Sequence, residues 1–330
     1  MKTVRWGMIG CGSVAEVKSG PGFYKAERSS LVAVTSTTPA RARSFAERHK
    51  IGRVYDSAEA LLGATDIDAV YIATPPAPHK SLTLQAARAG KHVYVEKPMA
   101  MRFAECQEMI DACAVVDRKL FVAFYRRAMP RFRQVKQWLD DGAIGPVRTV
   151  TIVQHQPPAA EDLSPDTLPW RVRPEIAGGG KFLDMGVHVI DLLDFWFGPI
   201  VEVHGIASNQ GGLYKAEDTV SVAWRHEGGV QGCGSWCYVC GDDQDRVTIV
   251  GTKGRIELEV FTDAPLRLVT AQGDELLSIA NPAHVQQPLI QSIVDELTGV
   301  GKCPGDPHSA ARTTQVADEI LAGYRLMNGL

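Results

Sequence analysis

The sequence predicts an α/β domain with a doubly wound parallel sheet, followed by an α+β domain with a large, mainly antiparallel open sheet. With 330 residues, the chain is longer than the roughly 250–300 residues at which one hydrophobic core stops growing. Up to residue 124, short apolar runs alternate with helical patterns, which is typical of a parallel sheet covered on both faces. From residue 201 to residue 279, short turns rich in glycine and aspartate separate apolar runs, which is typical of antiparallel strands. We therefore put the domain boundary between residues 124 and 125.

The first domain is predicted to alternate strands and helices. Strands are expected at residues 3–9, 31–36, 69–73, 92–96 and 120–124, and helices at residues 39–49, 57–62, 79–89 and 103–116. Residues 18–30, with the sequence KSGPGFYKAERSS, are rich in glycine, proline and charge. They are therefore predicted to form a long polar loop between the first helix and the second strand.

The second domain is predicted to combine helices with an antiparallel sheet. The expected order is a helix at 131–141, a strand at 147–155, a proline-rich loop at 156–175, a helix after the glycines at 178–180, strands broken by the turns EGG, GDD, GTKG and QGDE, and helices at 285–298 and 309–327. Too few helices follow residue 200 to cover both faces of the sheet. We therefore expect a homodimer or homotetramer that forms through this sheet.

The composition argues against nucleic-acid and membrane partners. The chain is 45% hydrophobic and 22% charged, with a net charge of −3, so it lacks the basic excess of nucleic-acid-binding proteins. No apolar run reaches the roughly 18–20 residues of a membrane span, and the apolar run at residues 6–9 is too short for a signal peptide. Seven scattered cysteines are typical of reduced thiols, so a cytoplasmic protein is expected.

A glycine motif follows the first predicted strand. Gly10, Gly12 and Ala15 give the pattern G-x-G-x-x-A, which is typical of a Rossmann-type dinucleotide-binding domain. Gly10 permits the tight turn, and Gly12 lets the backbone approach a pyrophosphate. Ser13 and Val14 begin the following helix, whose N-terminal N–H groups favour an anion. We predict that a nicotinamide dinucleotide binds here.

The end of the second strand indicates which dinucleotide binds. NAD-binding domains usually carry an acidic residue about 20 residues after the motif, but residues 28–46 contain none. Ser36, Thr37 and Arg41 offer hydroxyls and a cation that suit a 2′-phosphate. The alternative is that Thr38 only caps the next helix and Arg41 is solvated. The pattern favours NADP(H), with NAD(H) as the other possibility.

Two further stretches carry polar residues suited to catalysis. Lys97 follows a predicted buried strand at the sheet edge where ligands bind, and Pro98 after it is compatible with a cis peptide bond. Asp184, His188 and Asp191 have spacings of four and three, so they share one face of an otherwise apolar helix. Asp191 is interpreted as a structural hydrogen-bonding group. A metal held by the three side chains is an alternative, but hydride transfer does not need one, so none is predicted.

Together these motifs resemble the Gfo/Idh/MocA family of oxidoreductases. The resemblance rests on GCGSVA, on ATPPAPH at 73–79, on EKP at 96–98, on GGG with DMGVHVID at 178–191 and on GTKG. It implies that Lys97, Asp184 and His188 surround the reacting carbon. The stretch STTPAR at 36–41 is similar to members that use NADPH to reduce sugar-type carbonyls.

The matched motifs also supply further binding candidates. On the cofactor side these are Thr74, Pro75, His79, Glu96 and Lys97. His79 also has a structural interpretation, as the first residue of a helix.

Three residues near the expected cleft are candidates for substrate binding, in addition to Asp184 and His188. Arg126, with its neighbour Arg127, follows the last strand of the first domain, and Trp170 and Arg171 precede the catalytic helix. An arginine beside an aromatic ring suits a polyhydroxylated or anionic substrate, whereas ordinary ion pairing is the alternative.

The function predicted is an NADP(H)-dependent oxidoreductase acting on a secondary alcohol or carbonyl of a sugar, polyol or related metabolite. Lys97 would stabilise a developing alkoxide, His188 would transfer the proton, and Asp184 would orient His188 or bind a hydroxyl. The glycines at 178–180 are interpreted as backbone that approaches cofactor and substrate closely. Two alternatives are a glycoside-cleaving enzyme that retains its nicotinamide cofactor and a non-catalytic dinucleotide sensor. A sensor would not need Lys97 or His188.

Overall fold

The chain folds into two compact units. The structure, a computed structural model, describes residues 3–330. One unit extends to Met129 and also includes Pro282–Ala311, and the other combines Pro130–Asn281 with Arg312–Leu330. This division differs from the predicted one in two ways. The first unit continues to Met129 rather than ending at residue 124, and it also includes a segment near the C-terminus.

The first unit is built on a six-stranded parallel sheet. Its strands are β1 (Val4–Ile9), β2 (Ser29–Thr35), β3 (Arg53–Val54), β4 (Ala69–Ile72), β5 (His92–Val95) and β6 (Leu120–Val122). The strand order is β3-β2-β1-β4-β5-β6, which is the order of a Rossmann dinucleotide-binding domain. The predicted parallel α/β sheet is confirmed, and only the two-residue β3 was not predicted.

The helices of this unit lie between the strands. They are α1 (Gly20–Lys25), α2 (Pro39–His49), α3 (Ala58–Leu62), α4 (His79–Arg88) and α5 (Phe103–Val115). Every residue of β4 is buried, as expected for a strand covered by helices on both faces. The four helices predicted in the first domain are thus confirmed within one or two residues.

The predicted loop at residues 18–30 was wrong. A π-helical turn at Ala15–Ser19 continues directly into α1. The reason is tertiary: Phe23 is fully buried, and its ring lies 4.9 Å from that of Trp6 and 5.1 Å from that of Tyr71. A Cβ atom on Gly20 would lie 2.3 Å from the carbonyl oxygen of Ala15, so the glycine is required by this close approach.

The second unit contains an eight-stranded sheet. Helix α6 (Pro130–Asp140) comes first, and α7 (Pro174–Ala177) and α8 (Val187–Phe197) follow the first strand. The strands are β7 (Val147–His155), β8 (Ile200–Ser208), β9 (Thr219–His226), β10 (Gln231–Cys237), β11 (Gln244–Gly251), β12 (Gly254–Leu258), β13 (Leu266–Thr270) and β14 (Gly273–Leu277). The order is β14-β13-β12-β11-β7-β10-β9-β8, and β7 with β10 is the one parallel pair. The predicted mainly antiparallel sheet and its four turns are confirmed.

One face of this sheet is exposed within the chain. In β9, Val220, Val222 and Trp224 are buried, whereas the residues between them face outwards. The exposed Ala223 pairs with the exposed Cys233 on β10, which in turn pairs with Thr151 on β7. At these three paired positions the exposed face carries small side chains, and the described residues 3–330 leave it open to solvent.

The last two helices belong mainly to different units. Helix α9 (Gln287–Thr298) packs in the first unit, and most of α10 (Pro307–Asn328) belongs to the second. A Cβ atom on Gly22 would lie 2.8 Å from Cδ1 of Ile290, so α1 and α9 approach each other closely. An amphipathic pattern shows that a helix buries one face, but it does not show which sheet covers that face.

Two further findings concern residues 3–330. No helix in this range is long and apolar enough to cross a membrane. The seven cysteines all lie within it, and all are free thiols.

Candidate active site

The glycine loop after β1 has the shape that a dinucleotide requires. Gly10 has φ +105°, and a Cβ atom there would lie 2.6 Å from the carbonyl oxygen of Ala73. Gly10 N–H donates to the carbonyl oxygen of Thr35 at 2.8 Å, which fixes the turn. At Gly12, by contrast, no atom lies within 4 Å of the position of a Cβ atom. This open space lies beside the exposed Ser13, where the first helical turn leaves N–H groups free for an anion.

These two glycines are expected to respond differently to substitution. Gly10→Ala should destabilise the cofactor-free protein by about 1–3 kcal/mol, because alanine at positive φ is strained and its methyl group meets backbone. Gly12→Ala should leave that stability unchanged but fill the space that a pyrophosphate needs. A cofactor present at one hundred times its Kd normally raises the free energy of unfolding by about 2.7 kcal/mol, and this increase should be smaller in Gly12→Ala.

Chemical denaturation with and without NADPH measures both effects. The interpretation fails if Gly12→Ala gains as much stability from NADPH as the unaltered protein does.

The end of β2 presents hydroxyls and a guanidinium to solvent. Pro39 begins α2, and Thr38 stands at the N-cap position, as predicted, but its side chain makes no capping hydrogen bond. Instead Thr38 N–H donates to Oγ of Ser36 at 3.2 Å. Thr37, Thr38 and Arg41 are exposed. The interpretation of Thr38 as a residue that only caps is therefore not supported by the geometry.

His79 lies beneath the neighbouring loop. It is the first residue of α4, and it is fully buried. Its Nδ1 is 3.0 Å from the carbonyl oxygen of Pro98, and its Nε2 is 2.9 Å from that of Thr74. Burial lowers its pKa, so the ring is neutral and its single N–H serves one carbonyl at a time. His79 can support the loop but has no exposed surface with which to touch a cofactor.

Thr74 and Pro75 are both half-buried. The hydroxyl of Thr74 has no hydrogen-bond partner among residues 3–330.

Glu96 is part of a buried hydrogen-bond network. Its Oε1 accepts hydrogen bonds from Tyr71 Oη and from Gln286 Nε2, each at 2.6 Å. Tyr94 Oη donates to Oε1 of Gln286 at 2.7 Å. Burial raises the pKa of both tyrosines well above the usual value, so both phenols remain donors. Gln286 was not identified from the sequence, because nothing near it in the chain indicates contact with β4 and β5.

Lys97 immediately follows this network. Oε2 of Glu96 accepts a hydrogen bond from Lys97 N–H at 3.2 Å, and the peptide bond between Lys97 and Pro98 is cis. The Lys97 side chain is half-buried. Glu96 thus accepts a hydrogen bond from the backbone of Lys97, and His79 contacts the carbonyl of Pro98, so the backbone is fixed on both sides of the cis bond.

The helix that carries Asp184 and His188 begins with a π-helical turn. This turn spans Phe182–Gly186 and continues into α8. A Cβ atom on Gly186 would lie 2.5 Å from the ring of Phe182, so glycine permits the widened turn. The sequence spacing predicted an ordinary α-helical turn between Asp184 and His188, and the wider turn is a departure from it.

One predicted substrate residue, Arg171, pairs with Asp184, and a second, Trp170, contacts Arg171. Arg171 Nε donates to Oδ2 of Asp184 at 2.9 Å, and the Arg171 guanidinium lies 4.7 Å from the centre of the Trp170 ring. His188 is only 4% exposed, and its ring lies edge-on to Phe261 at 6.2 Å. The buried helix therefore presents a carboxylate, with its arginine partner, one turn before an imidazole.

The two parts of the chain each match a family model. The oxidoreductase family model with an NAD-binding Rossmann fold, GFO_IDH_MocA, matches residues 4–124, and the GFO/IDH/MocA C-terminal domain model matches residues 132–257. The chain belongs to the GFO/IDH/MocA family. It is an oxidoreductase with an NAD-binding Rossmann fold.

Individual relatives extend over nearly the whole chain. "Oxidoreductase P35" of Formosa agariphila is 36% identical over 318 residues, which covers 96% of this chain and 97% of the relative. The 1,5-anhydro-D-fructose reductase of Ensifer adhaerens is 30% identical over 304 residues and covers 90% and 89%. A crystal structure of aldose–aldose oxidoreductase from Caulobacter crescentus, complexed with glycerol, superposes with a TM-score of 0.87 at 24% identity and covers 99% and 98%. At this identity, the likeness shows the fold alone.

The remaining residues that the sequence singles out in this GFO/IDH/MocA chain are buried. Arg126 is buried, and its guanidinium lies 5.0 Å from the ring centre of Tyr125 and donates to that hydroxyl at 3.0 Å. Arg127 is also buried. Asp191 is 1% exposed. Between residues 3 and 330, no group of three or more His, Cys, Asp or Glu side chains is arranged to hold a metal ion.

The glycines at 178–180 approach protein rather than open space. A Cβ atom on Gly180 would lie 2.2 Å from the carbonyl oxygen of Glu217, and one on Gly179 would lie 3.1 Å from Oε2 of Glu217. Both glycines are buried. The interpretation that these glycines approach a cofactor or substrate stays a prediction, because the Glu217 contacts concern only the Cβ side of Gly179 and Gly180. Glycine is required at both positions by this contact with Glu217.

Proposed function

We propose that this protein is an NADP(H)-dependent oxidoreductase that acts on a secondary alcohol or carbonyl of a sugar, polyol or related metabolite. The observation that carries the proposal is the buried helix on which Asp184, paired with Arg171, precedes His188. Membership of an oxidoreductase family and the 30% identity to a 1,5-anhydro-D-fructose reductase support the reaction type and a carbohydrate-like substrate.

The cofactor residues fit a phosphorylated dinucleotide. The loop at Gly10, Gly12, Ser13 and Val14 offers an open space and helix N–H groups to the pyrophosphate. The hydroxyls of the half-buried Ser36 and the exposed Thr37 and the guanidinium of Arg41 offer donors to a 2′-phosphate. When bound, the nicotinamide donates or accepts the hydride.

The chain's own residues supply proton transfer and charge stabilisation. A ring nitrogen of His188 gives a proton to the substrate oxygen during reduction and removes it during oxidation. The ammonium group of Lys97 stabilises negative charge that develops on the same oxygen. Asp184 and Arg171 orient the imidazole and bind substrate hydroxyls, and Trp170 offers an aromatic surface to a sugar ring.

Turnover of NADPH across a panel of sugars, polyols and their keto derivatives tests this function. We expect net oxidation of NADPH with at least one keto sugar and net reduction of NADP⁺ with the corresponding alcohol. Release of a sugar without net cofactor turnover would instead establish the glycoside-cleaving alternative. Cofactor binding without any turnover would support the sensor.

We also propose that the protein assembles through the exposed face of the β7–β10–β9 sheet. Light scattering should give the mass of two or four chains. Ala223→Arg should lower that mass, because symmetry brings copies of the new charge together in an isologous interface. Ala104, an exposed residue of α5, provides a matched control, since Ala104→Arg adds the same charge away from this face. A mass of one chain at all concentrations would refute the proposal.

A further inference from the structure

Glu217 is a buried carboxyl group that the proposed reaction does not use. It lies two residues before β9 and is only 1% exposed. Its Oε1 accepts a hydrogen bond from Gly180 N–H at 2.8 Å, and Gly180 itself is buried. A Cβ atom on Gly179 or on Gly180 would lie 3.1 Å or less from an atom of Glu217. The backbone of both glycines is therefore in close contact with Glu217.

Arg325 holds the other end of the same segment. Its Nη2 donates to the carbonyl oxygen of Gly178 at 3.0 Å, and its Nη1 donates to Oδ1 of Asp318 at 2.6 Å. Arg325 is 7% exposed. Gly178 has φ +84°, a conformation that glycine adopts without strain. Arg325 therefore fixes the carbonyl of Gly178, and Glu217 fixes the N–H of Gly180.

We propose that Glu217 is a positioning residue for catalysis, which fixes the Gly178–Gly180 segment and thereby the helix that carries Asp184 and His188. The segment ends two residues before the π-helical turn that contains Asp184, with only Lys181 between them. A shift of the segment moves the start of that helix, and displacement of a reacting group by about 1 Å can cost about 10²-fold in rate. The inference rests on the proposed function of Asp184 and His188.

The environment of Glu217 makes the strength of its hydrogen bond from Gly180 dependent on pH. Burial raises its pKa to about 7, whereas the Gly180 N–H and the Arg325 guanidinium lower it. The other titratable groups around it are Asp218 on the same segment and three tyrosines, Tyr214, Tyr238 and Tyr324. As the pH falls through about 7, Glu217 takes up a proton. Its hydrogen bond from Gly180 then weakens, because a carboxylate is the stronger acceptor.

Two variants of equal size separate positioning from mere space filling. Glu217→Gln retains an acceptor oxygen for Gly180 N–H, whereas Glu217→Met fills the same space without one. We expect Glu217→Met to lower kcat by roughly 10- to 100-fold, with the affinity for NADPH unchanged. Glu217→Gln should remain within about threefold of the unaltered enzyme.

Asp218 provides the matched control. It is also 1% exposed, but its carboxylate accepts hydrogen bonds from Gln210 N–H and Gly211 N–H, away from the glycine segment. Asp218→Asn should therefore leave kcat unchanged. The inference is overturned if Glu217→Met lowers kcat no more than Asp218→Asn does, or if kcat and NADPH affinity fall together.

Hydrogen exchange gives a readout that needs no substrate and no Met variant. After correction for intrinsic rates, amide protection of residues 178–188 should fall in the unaltered protein as the pH drops through about 7 and should not change with pH in Glu217→Gln. Equal pH dependence in both proteins would overturn the inference, whatever the reaction is. If instead the exchange result holds and no substrate is turned over, the proposed function fails while the role of Glu217 in fixing the segment stands.

Discussion

Lys97→Ala and His188→Ala are each expected to lower kcat by about 10²–10⁴-fold while NADPH affinity stays nearly unchanged. In the proposed reaction, Lys97 would supply a positive charge and His188 a proton, both to the reacting oxygen. Affinity for the cofactor is expected to come mainly from the loop at Gly10–Ala15 and from the end of β2. Steady-state kinetics at saturating substrate, together with fluorescence titration of NADPH, separates the two quantities.

Two surface residues serve as controls for these variants. Lys80 forms ion pairs with Glu105 and Glu108, and the His204 side chain is 78% exposed. Lys80→Ala and His204→Ala should keep full activity. Full activity in Lys97→Ala or His188→Ala would mean that the chemistry occurs elsewhere.

Asp184→Asn should cause an intermediate loss of kcat. The amide still accepts a hydrogen bond from Arg171 Nε, but it no longer carries the charge that pairs with this arginine.

Arg41→Ala is expected to weaken NADPH binding by roughly 10- to 150-fold and NADH binding little. The loss corresponds to about 1.5–3 kcal/mol for one charge-assisted hydrogen bond to phosphate. NADH lacks the 2′-phosphate, so it loses no such contact. Isothermal titration of both cofactors against both proteins gives the comparison directly.

Arg43 is the matched control for Arg41. It is an exposed arginine on the same helix, two residues further along, and so points to a different side of α2. Arg43→Ala should change both affinities little. Equal losses for NADPH and NADH in Arg41→Ala, or a preference of the unaltered protein for NADH, would contradict the assignment of the 2′-phosphate site.

The local patterns of the sequence predict most of the first unit. Alternating apolar runs and the glycine motif depend on neighbours within one strand–helix repeat, so they indicate the parallel sheet correctly. Helix α1 was missed because its stretch GPG is typical of a loop. Its helical structure depends on the burial of Phe23 against Trp6 and Tyr71, which are distant in sequence.

Candidate site residues could be proposed from the sequence where motif residues are close together in the chain, but not where their partners come from elsewhere. Asp184 and His188 were proposed from their spacing on one apolar helix, and their catalytic roles stay predictions. The supporting residues Gln286 and Glu217 lie far along the chain from the motifs that they contact. Nothing local distinguishes Glu217 from the other acidic residues before a strand.

The fate of the cofactor's hydrogen tests the central claim most directly. NADPH carrying two deuterium atoms at C4 of the nicotinamide would be incubated with the protein and the keto sugar that it turns over. We predict one deuterium per molecule on the carbon that was the carbonyl, with one NADPH consumed for each alcohol formed. Product that contains no deuterium, or product formed without consumption of NADPH, would contradict the account.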